Sequence, residues 1–124
     1  MQKMAFFDID GTLTRPDGSI APAVISAVKA AADKGVKIVL ASGRPTFGML
    51  ELAKLFGLDK NDGYIISYNG CGIYHVPTEK YLVQHYVDKD ILLMLDAEIR
   101  NYPHLSPIFY DNEKIIFSTL DFPP

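Results

Sequence analysis

Two aspartates stand two positions apart where the first apolar run of the sequence ends. They are Asp8 and Asp10, which follow residues 4–7 and precede Gly11. Side chains two apart on a regular strand share a face, so both carboxylates can point at one site. Two carboxylates held together repel each other unless a cation lies between them or one is protonated. A hard divalent ion with oxygen ligands, such as Mg²⁺, relieves that repulsion, and the pair therefore predicts a metal-assisted site.

A second polar segment follows the next apolar run. Ser42, Gly43 and Arg44 come directly after residues 36–41. A serine hydroxyl and backbone N–H groups at the start of a helix form a phosphate cradle, and a crossover of this length should bring Ser42 near Asp8. Ser42 has an alternative role as a helix cap. Arg44 is equally consistent with a solvated side chain and with a substrate contact.

The elements that must position these residues alternate between strands and helices. We predict strands at residues 4–9, 36–41 and 64–68, and helices at residues 21–34 and 46–56. The apolar residues of the first strand are consecutive, which favours a central strand with both faces buried. The alternation implies right-handed crossovers and a parallel sheet. Open α/β sheets bind ligands at the carboxyl ends of their strands, where both polar segments should lie.

The pattern changes after Gly70, where strands follow one another without an intervening helix. We predict strands at residues 72–76 and 81–87, a helix at residues 89–100, and a hairpin of residues 107–110 and 114–119. The sequence therefore predicts a domain boundary near Gly70. A parallel α/β unit would occupy residues 1–70 and a hairpin-rich α+β unit residues 71–124.

Composition limits the class of protein. The 124 residues are 48% hydrophobic with a formal net charge of -3, which argues against a nucleic-acid partner. No apolar run approaches the ~20 residues of a membrane helix, and acidic residues come too early for a signal-peptide core. The single cysteine, Cys71, rules out an internal disulfide and fits a cytoplasmic protein. The histidines lack metal-ligand spacing; they are His75, His85 and His104.

Three segments in order, FFDIDGTL, ASGRP and ISYNGCGIY, resemble the Cof-type branch of the haloacid dehalogenase (HAD) superfamily. The resemblance covers the whole chain, as the first half of such a protein. It implies an α/β fold, a partial Rossmann-like parallel sheet followed by the start of an α+β cap domain that selects the substrate. It also implies a phosphoric monoester hydrolase that uses Mg²⁺ and acts on small phosphorylated metabolites.

The same resemblance implies roles for individual residues. Asp8 would be the nucleophile that forms an aspartyl-phosphate, and Asp10 the general acid and base. Mg²⁺ would be held by Asp8 and Asp10, the latter through its backbone carbonyl. The implied phosphate-binding residues are Gly11, Thr12, Ser42 and Gly43. Arg44 and Asn69 are candidate substrate-binding residues, although Asn69 is equally suited to form a turn.

The sequence also departs from the family pattern. The family's phosphate-neutralising lysine and its Gly-Asp-x-x-Asn-Asp-like segment, which completes the metal site, both follow the cap and are absent from this chain. Asn61, Asp62 and Gly63 mimic part of that segment. They precede the third strand, at the opposite edge of the sheet from Asp8, so we do not expect them to bind metal. We expect the isolated 124-residue chain to be inactive or very weak.

Three hypotheses therefore stay open at the level of sequence. The chain belongs to an HAD-type phosphatase, or it is a non-catalytic truncated fragment or subunit that needs a partner, or it is a phosphotransferase or mutase that shares Asp8. In the family, the strand leading to the missing acidic motif lies beside the first strand. Its absence would leave residues 4–9 with a bare apolar edge, and such edges recruit other chains. We therefore predict a homo-oligomer formed through this edge.

Overall fold

Five strands and two helices make up the first part of the chain. The strands are β1 (Met4–Asp8), β2 (Lys37–Ala41), β3 (Tyr64–Ser67), β4 (Gly72–His75) and β5 (Lys80–Gln84). The helices are α1 (Pro22–Asp33) and α2 (Leu50–Leu55), and a 3₁₀ turn, Thr46–Met49, leads into α2. The structure is a computed structural model that describes residues 2–111 and 113–117 of the 124.

The five strands form one mixed sheet in the order β1-β2-β3-β4-β5. β1, β2 and β3 run parallel, and β4 and β5 continue the sheet antiparallel. This arrangement confirms the predicted α/β fold with a Rossmann-like beginning. Asp8 pairs with Ala41, and Ala41 pairs with Ile66, so the carboxyl ends of the three parallel strands are level. The loops that leave these ends therefore share one edge of the sheet.

Both helices pack on the same face of this sheet. The core cluster joins Val28 of α1 and Ala53 of α2 to strand residues that alternate along the chain, such as Ile38 and Leu40. Two right-handed crossovers made in the same direction across a parallel sheet place both helices on one side. The opposite face carries apolar side chains that the helices do not cover, and Phe6 is 61% exposed.

The prediction that residues 4–9 are buried on both faces is wrong for this structure. Ala5 and Phe7 pack against the core cluster, whereas Met4 and Phe6 are exposed. Consecutive apolar residues are typical of a strand that is buried on both faces, but in the described structure helices cover only one face of β1. β1 also lies at the end of the strand order, so β2 is its one sheet neighbour among the residues that the structure describes.

The chain divides into two compact units, Met1–His85 and Tyr86–Pro124. This division differs from the predicted boundary near Gly70. β4 pairs with β3 over four residue pairs, from Tyr64 with His75 to Ser67 with Gly72, so the first hairpin belongs to the sheet. The assignment of residues 71–124 to a cap domain stays a prediction.

The described part of the second unit contains one helix and one hairpin. Helix α3 is Lys89–Ile99, and strands β6 (Ile108–Tyr110) and β7 (Ile115–Phe117) pair antiparallel, close to the predicted positions. The Asp111 carboxylate accepts backbone N–H bonds from Glu113 and Lys114 at 2.8 and 2.7 Å, which closes the hairpin turn. Residues 118–119 of the predicted hairpin lie outside the described residues. Across the described ranges, no helix combines the length and apolar character needed to span a bilayer.

Candidate active site

The loop that follows β1 carries both predicted catalytic aspartates. Asp8 ends the strand, and Ile9–Leu13 form one irregular helical turn whose end residues, Ile9 and Leu13, are buried. Gly11 adopts φ +80°, and a Cβ added there would meet nothing within 4 Å. The glycine is therefore required by the left-handed backbone conformation and not by lack of space. The buried ends anchor the loop while its polar residues face outward.

The Asp8 carboxylate is exposed at the carboxyl end of the sheet. The Thr12 hydroxyl donates a hydrogen bond of 3.0 Å to Asp8 Oδ2. Within the same loop, the Thr14 hydroxyl accepts from the Gly11 N–H and donates to the Ile9 carbonyl, at 3.3 and 3.1 Å. The loop thus orients Asp8 through its own side chains and leaves the carboxylate accessible to an approaching group.

Ser42 and Gly43 lie in the neighbouring loop, after β2. The Ser42 N–H donates to the Ile66 carbonyl at 2.9 Å, and the Ser42 hydroxyl accepts the Arg44 N–H at 3.2 Å. The helical segment begins later, at Thr46, with Pro45 as its N-cap residue and no side-chain cap. The helix-cap alternative for Ser42 is therefore not seen. The predicted cradle would be built from this loop and not from a helix N-terminus.

Asn69 belongs to the turn between β3 and β4 and reaches the same edge. It adopts φ +55°, and its N–H donates to the Ser42 carbonyl at 3.3 Å. A Cβ added to Gly43 would lie 2.9 Å from Asn69 Oδ1, so the amide packs directly on Gly43. Asn69 is a turn former, and the turn places its side chain beside the Ser42–Gly43 backbone.

Arg44 and Asp10 form an ion pair across the two loops. Arg44 Nε donates to Asp10 Oδ2 at 3.0 Å, and Arg44 Nη2 donates to Asp10 Oδ1 at 2.6 Å. These hydrogen bonds raise the pKa of the Arg44 guanidinium. Sequence reasoning left Arg44 between a solvated residue and a substrate contact and did not consider this pairing. The sequence did carry a signal for this pairing, because Asp10 and Arg44 have opposite charges and each follows the end of a parallel strand.

The residues around Asp8 can be compared with the ligands that the implied Mg²⁺ would need. The site offers two exposed carboxylates, those of Asp8 and Asp10. Over residues 2–111 and 113–117, the structure contains no group of three or more His, Cys, Asp or Glu residues that could hold a metal ion. Oxygen ligands suit Mg²⁺, which commonly binds through one or two carboxylates and keeps several waters. The residues present therefore fit part of a Mg²⁺ site, and the third carboxylate that the family resemblance implies is not found among the described residues.

Asp62 lies at the other end of the parallel strands, where it was expected. Its carboxylate pairs with the ammonium of Lys37, the first residue of β2, and with His75 Nε2 at 2.6 Å. The other ring nitrogen of His75 lies 2.8 Å from the Thr78 hydroxyl. Sequence reasoning treated His75 as an ordinary strand residue and missed this cluster, because nothing in the local pattern links these positions.

A buried pair of hydroxyl groups links two elements that adjoin the loops of the site. Thr46 Oγ1 and Ser67 Oγ lie 2.6 Å apart, and both residues are buried. Thr46 begins the helical segment after the Ser42 loop, and Ser67 ends β3 just before the Asn69 turn. The pair therefore links the helical segment after the Ser42–Gly43 loop to the strand end before the Asn69 turn. Sequence reasoning missed it, since hydroxyl residues at strand ends are also common on surfaces.

Known proteins resemble this chain in sequence and in fold. A family model described as haloacid dehalogenase-like hydrolase matches residues 5–121. The chain is similar to a haloacid dehalogenase-like hydrolase from Bacteroides thetaiotaomicron of known structure, with a TM-score of 0.87 and 30% identity over 98% of this chain and 46% of that one. It also resembles a sugar phosphatase of HAD subclass IIB, with a TM-score of 0.70 and 28% identity over 92% of this chain and 43% of the other.

A curated relative extends the comparison. The chain is 34% identical over 90 residues to an HMP-PP phosphatase of Enterobacter sp. (strain 638), an alignment that covers 73% of this chain and 31% of the relative. The chain spans less than half the length of the curated relatives that it matches. The match therefore concerns the part of the family fold that contains the loops after β1 and β2.

Proposed function

The chain belongs to the haloacid dehalogenase-like hydrolases, and on that basis we propose that it carries the nucleophile of a Mg²⁺-dependent phosphatase. The observation that supports this most directly is the placement of Asp8. Its carboxylate is exposed at the level carboxyl ends of three parallel strands, with the Thr12 hydroxyl on one oxygen. Open α/β sheets bind ligands at such an edge.

In the proposed reaction, an oxygen of the Asp8 carboxylate attacks the phosphorus of a phosphate monoester. A phosphorus–oxygen bond to Asp8 forms as the bond to the leaving oxygen breaks, and protonated Asp10 gives its proton to that oxygen. Water then attacks the phosphorus, and Asp10 accepts a proton from the water. The Asp8 carboxylate is regenerated, and an alcohol and inorganic phosphate are the products.

The neighbouring loops would hold the phosphate during both steps. The proposed contacts are the hydroxyls of Thr12 and Ser42 and the backbone N–H groups of Gly11 and Gly43. In the structure the Gly11 N–H donates to Thr14 and the Thr12 hydroxyl to Asp8, so these two donors would have to turn to the phosphate when it binds. The Asp8 carboxylate and the Asp10 backbone carbonyl would hold Mg²⁺, which when bound lowers the repulsion between Asp8 and an anionic substrate.

Small phosphorylated metabolites are the proposed substrate class. Two of the similar proteins are named as an HMP-PP phosphatase and a sugar phosphatase. Within the segment 71–124 predicted as a cap, the residues after the β4–β5 hairpin, which belongs to the sheet, would select among such substrates. Asn69 is a candidate contact at the border of that segment, because its amide lies against Gly43.

The proposal is tested by hydrolysis of p-nitrophenyl phosphate and by trapping the intermediate. Because turnover by this chain is expected to be very weak, the decisive readout is the phosphoryl group that the wild type, with Mg²⁺ present, should carry on Asp8 after an acid quench, detected by peptide mass spectrometry. Asp8→Asn should abolish the adduct and the hydrolysis, because the amide is a poor nucleophile. Asp59→Asn is the matched control in an exposed loop and should behave as wild type. Mg²⁺-dependent hydrolysis that survives Asp8→Asn would contradict the nucleophile assignment.

A second candidate function is a subunit whose site is completed by another chain. It is favoured by the absence of a third metal-binding carboxylate from the described residues. Activity per molecule should then rise with protein concentration, as the complete site assembles by mass action. A specific activity that stays constant from low to high concentration would exclude completion by a second copy.

A further inference from the structure

We propose that Arg44 is a positioning residue for Asp10. Its guanidinium fixes the orientation of the carboxylate that exchanges protons with the leaving group and with water. This inference rests on the proposed function for the role of Asp10. It differs from the substrate contact that the sequence allowed for Arg44.

The geometry of the pair supports an orienting role. Two different nitrogens of Arg44 reach two different oxygens of Asp10, at 3.0 and 2.6 Å. A forked contact of this kind sets the plane of the carboxylate as well as its distance, which a single hydrogen bond cannot do. The pair joins residues 34 positions apart in sequence. It therefore couples the loop after β1 to the loop after β2.

Both backbone polar groups of Arg44, the N–H and the carbonyl, are hydrogen-bonded. Its N–H donates to the Ser42 hydroxyl at 3.2 Å, and its carbonyl accepts the Tyr68 N–H at 3.0 Å. Ser42 follows β2, and Tyr68 follows β3. The guanidinium thus extends from a backbone that is tied to two strand ends, which gives the carboxylate of Asp10 a fixed reference.

Asp10 is exposed to solvent, so a contact that fixes the orientation of its carboxylate is needed. The side chain of Asp10 is 60% exposed, and that of Arg44 is 43% exposed. An exposed aspartate on a loop would otherwise sample several rotamers, and only some of them point at a given leaving oxygen. A displacement of about 1 Å in a reacting group can cost about 100-fold in rate, so holding the carboxylate contributes to the proposed reaction.

The pairing can be tested in the 124-residue chain without any activity. The probe is the Arg44 Nε–H signal in ¹H–¹⁵N NMR spectra. Asp10→Asn should move this signal and speed its exchange with water about tenfold or more, because a charge-assisted hydrogen bond is lost. Asp8→Asn, which removes a carboxylate from the same loop, should leave the signal in place.

An internal control is available in the second unit. Arg100 Nε and Nη2 both donate to Asp96 Oδ2, at 3.0 and 2.7 Å, in a second Arg–Asp pair. The Arg100 signal should not change in Asp10→Asn. An Arg44 signal that is the same in wild type and Asp10→Asn, or that shifts equally in Asp8→Asn, would overturn the proposal.

The second arm separates positioning from substrate contact. Arg44→Gln should lower kcat for ethyl phosphate about 10- to 100-fold with KM unchanged. The loss should be smaller for p-nitrophenyl phosphate, because p-nitrophenolate leaves without needing a proton. Arg44→Lys should recover only part of the rate, since an ammonium cannot make the forked contact. Arg100→Gln should match wild type.

The outcomes distinguish this inference from the proposed function. A raised KM with unchanged kcat in Arg44→Gln would overturn positioning and identify a substrate contact. Equal losses for the two esters would also overturn it. Absence of the phosphoryl adduct on Asp8 in wild type would count against the proposed function, while the NMR arm would still decide whether Arg44 holds Asp10.

Discussion

Polar residues at the two ends of the parallel strands are arranged for different purposes. At the carboxyl ends, Asp8 and Asp10 are both exposed. Among the described interactions, Asp8 accepts from Thr12 of its own loop and Asp10 accepts from Arg44 of the neighbouring loop. At the amino ends, Asp62 is held by Lys37 and His75 in a closed cluster. The first arrangement leaves the carboxylates accessible to solvent. The second uses one carboxylate to join the first residue of β2 to the last residue of β4.

The cluster around Asp62 predicts a pH-dependent contribution to stability. Hydrogen bonds from Lys37, and then from His75, hold the pKa of the Asp62 carboxyl below its ordinary value of 3.8. A lowered folded-state pKa stabilises the protein above the ordinary value, and this stabilisation is lost as the pH falls through the lowered value. Asp62→Asn should therefore reduce the denaturation midpoint at neutral pH, and the difference from wild type should disappear in strong acid.

Asp59→Asn provides the control for this prediction. Asp59 lies in the same loop and is exposed. Its substitution should leave the midpoint close to that of wild type across the acid range, because exposed single charges contribute little. Urea denaturation followed by circular dichroism at several pH values measures both variants. A deficit in Asp62→Asn that persisted unchanged into strong acid would show that the carboxylate's charge is not the cause.

At the scale of secondary-structure elements, hydroxyl pairing connects the loops of the site. Thr46 starts the 3₁₀ turn and Ser67 ends β3, and their oxygens lie 2.6 Å apart in a buried position. The Ser67 hydroxyl has one further contact, a long one of 3.5 Å to the Gly72 carbonyl. Gly72 leaves room for this hydroxyl, since an added Cβ would lie 2.6 Å from it. The contact between Thr46 and Ser67 therefore joins the elements next to the Gly43 loop and the Asn69 turn.

A double-mutant cycle tests this connection. Thr46→Val preserves shape but removes one hydroxyl, and Ser67→Ala removes the other. Each single change should cost about 1–3 kcal/mol in the free energy of unfolding, because it leaves a buried polar group with a poorer partner. The double variant should cost less than the sum of the two single changes. Strict additivity in urea denaturation would show that the two hydroxyls do not interact.

On the scale of the whole molecule, helices cover one face of the sheet in the first unit, and burial on the other face is uneven, with Val39 buried and Phe6 exposed. Both crossovers of the parallel strands place their helices on the same side, and Phe6 is exposed on the other. β1 also ends the strand order of the sheet, so the described structure leaves one edge of β1 without a neighbouring strand. An apolar strand at a sheet edge favours pairing with another chain. Self-association through β1 thus stays our prediction, now with a specific side chain to test.

Light scattering at high micromolar concentration measures this self-association. Wild type should contain species larger than the monomer, and Phe6→Lys should shift the distribution towards the monomer, because a charge on an edge strand opposes pairing. Leu82→Lys is the matched control on β5, at the other end of the strand order. Leu82 is 60% exposed, against 61% for Phe6. A monomeric wild type, or equal effects of the two lysine variants, would contradict pairing through β1.

The order of elements could be predicted because each one is encoded locally. The apolar run at residues 36–41 and the stop at Gly35 predict β2 within a residue, and the amphipathic pattern after Asp88 predicts α3 equally well. The place of Asp8 at the end of β1 and the approach of Ser42 to it followed from the same local pattern. Connection length and crossover handedness then allow few arrangements of neighbouring strands.

The sequence by itself determined the α/β class, the parallel start of the sheet, and the level placement of Asp8 and Ser42, because periodicity and turn residues act over a few positions. Only the tertiary structure decided that Arg44 pairs with Asp10, that Thr46 contacts Ser67, and that β1 is covered on one face. These features join residues distant in the chain or depend on which side of the sheet each crossover covers. They arise from the relative placement of loops and helices, which no single stretch of sequence specifies.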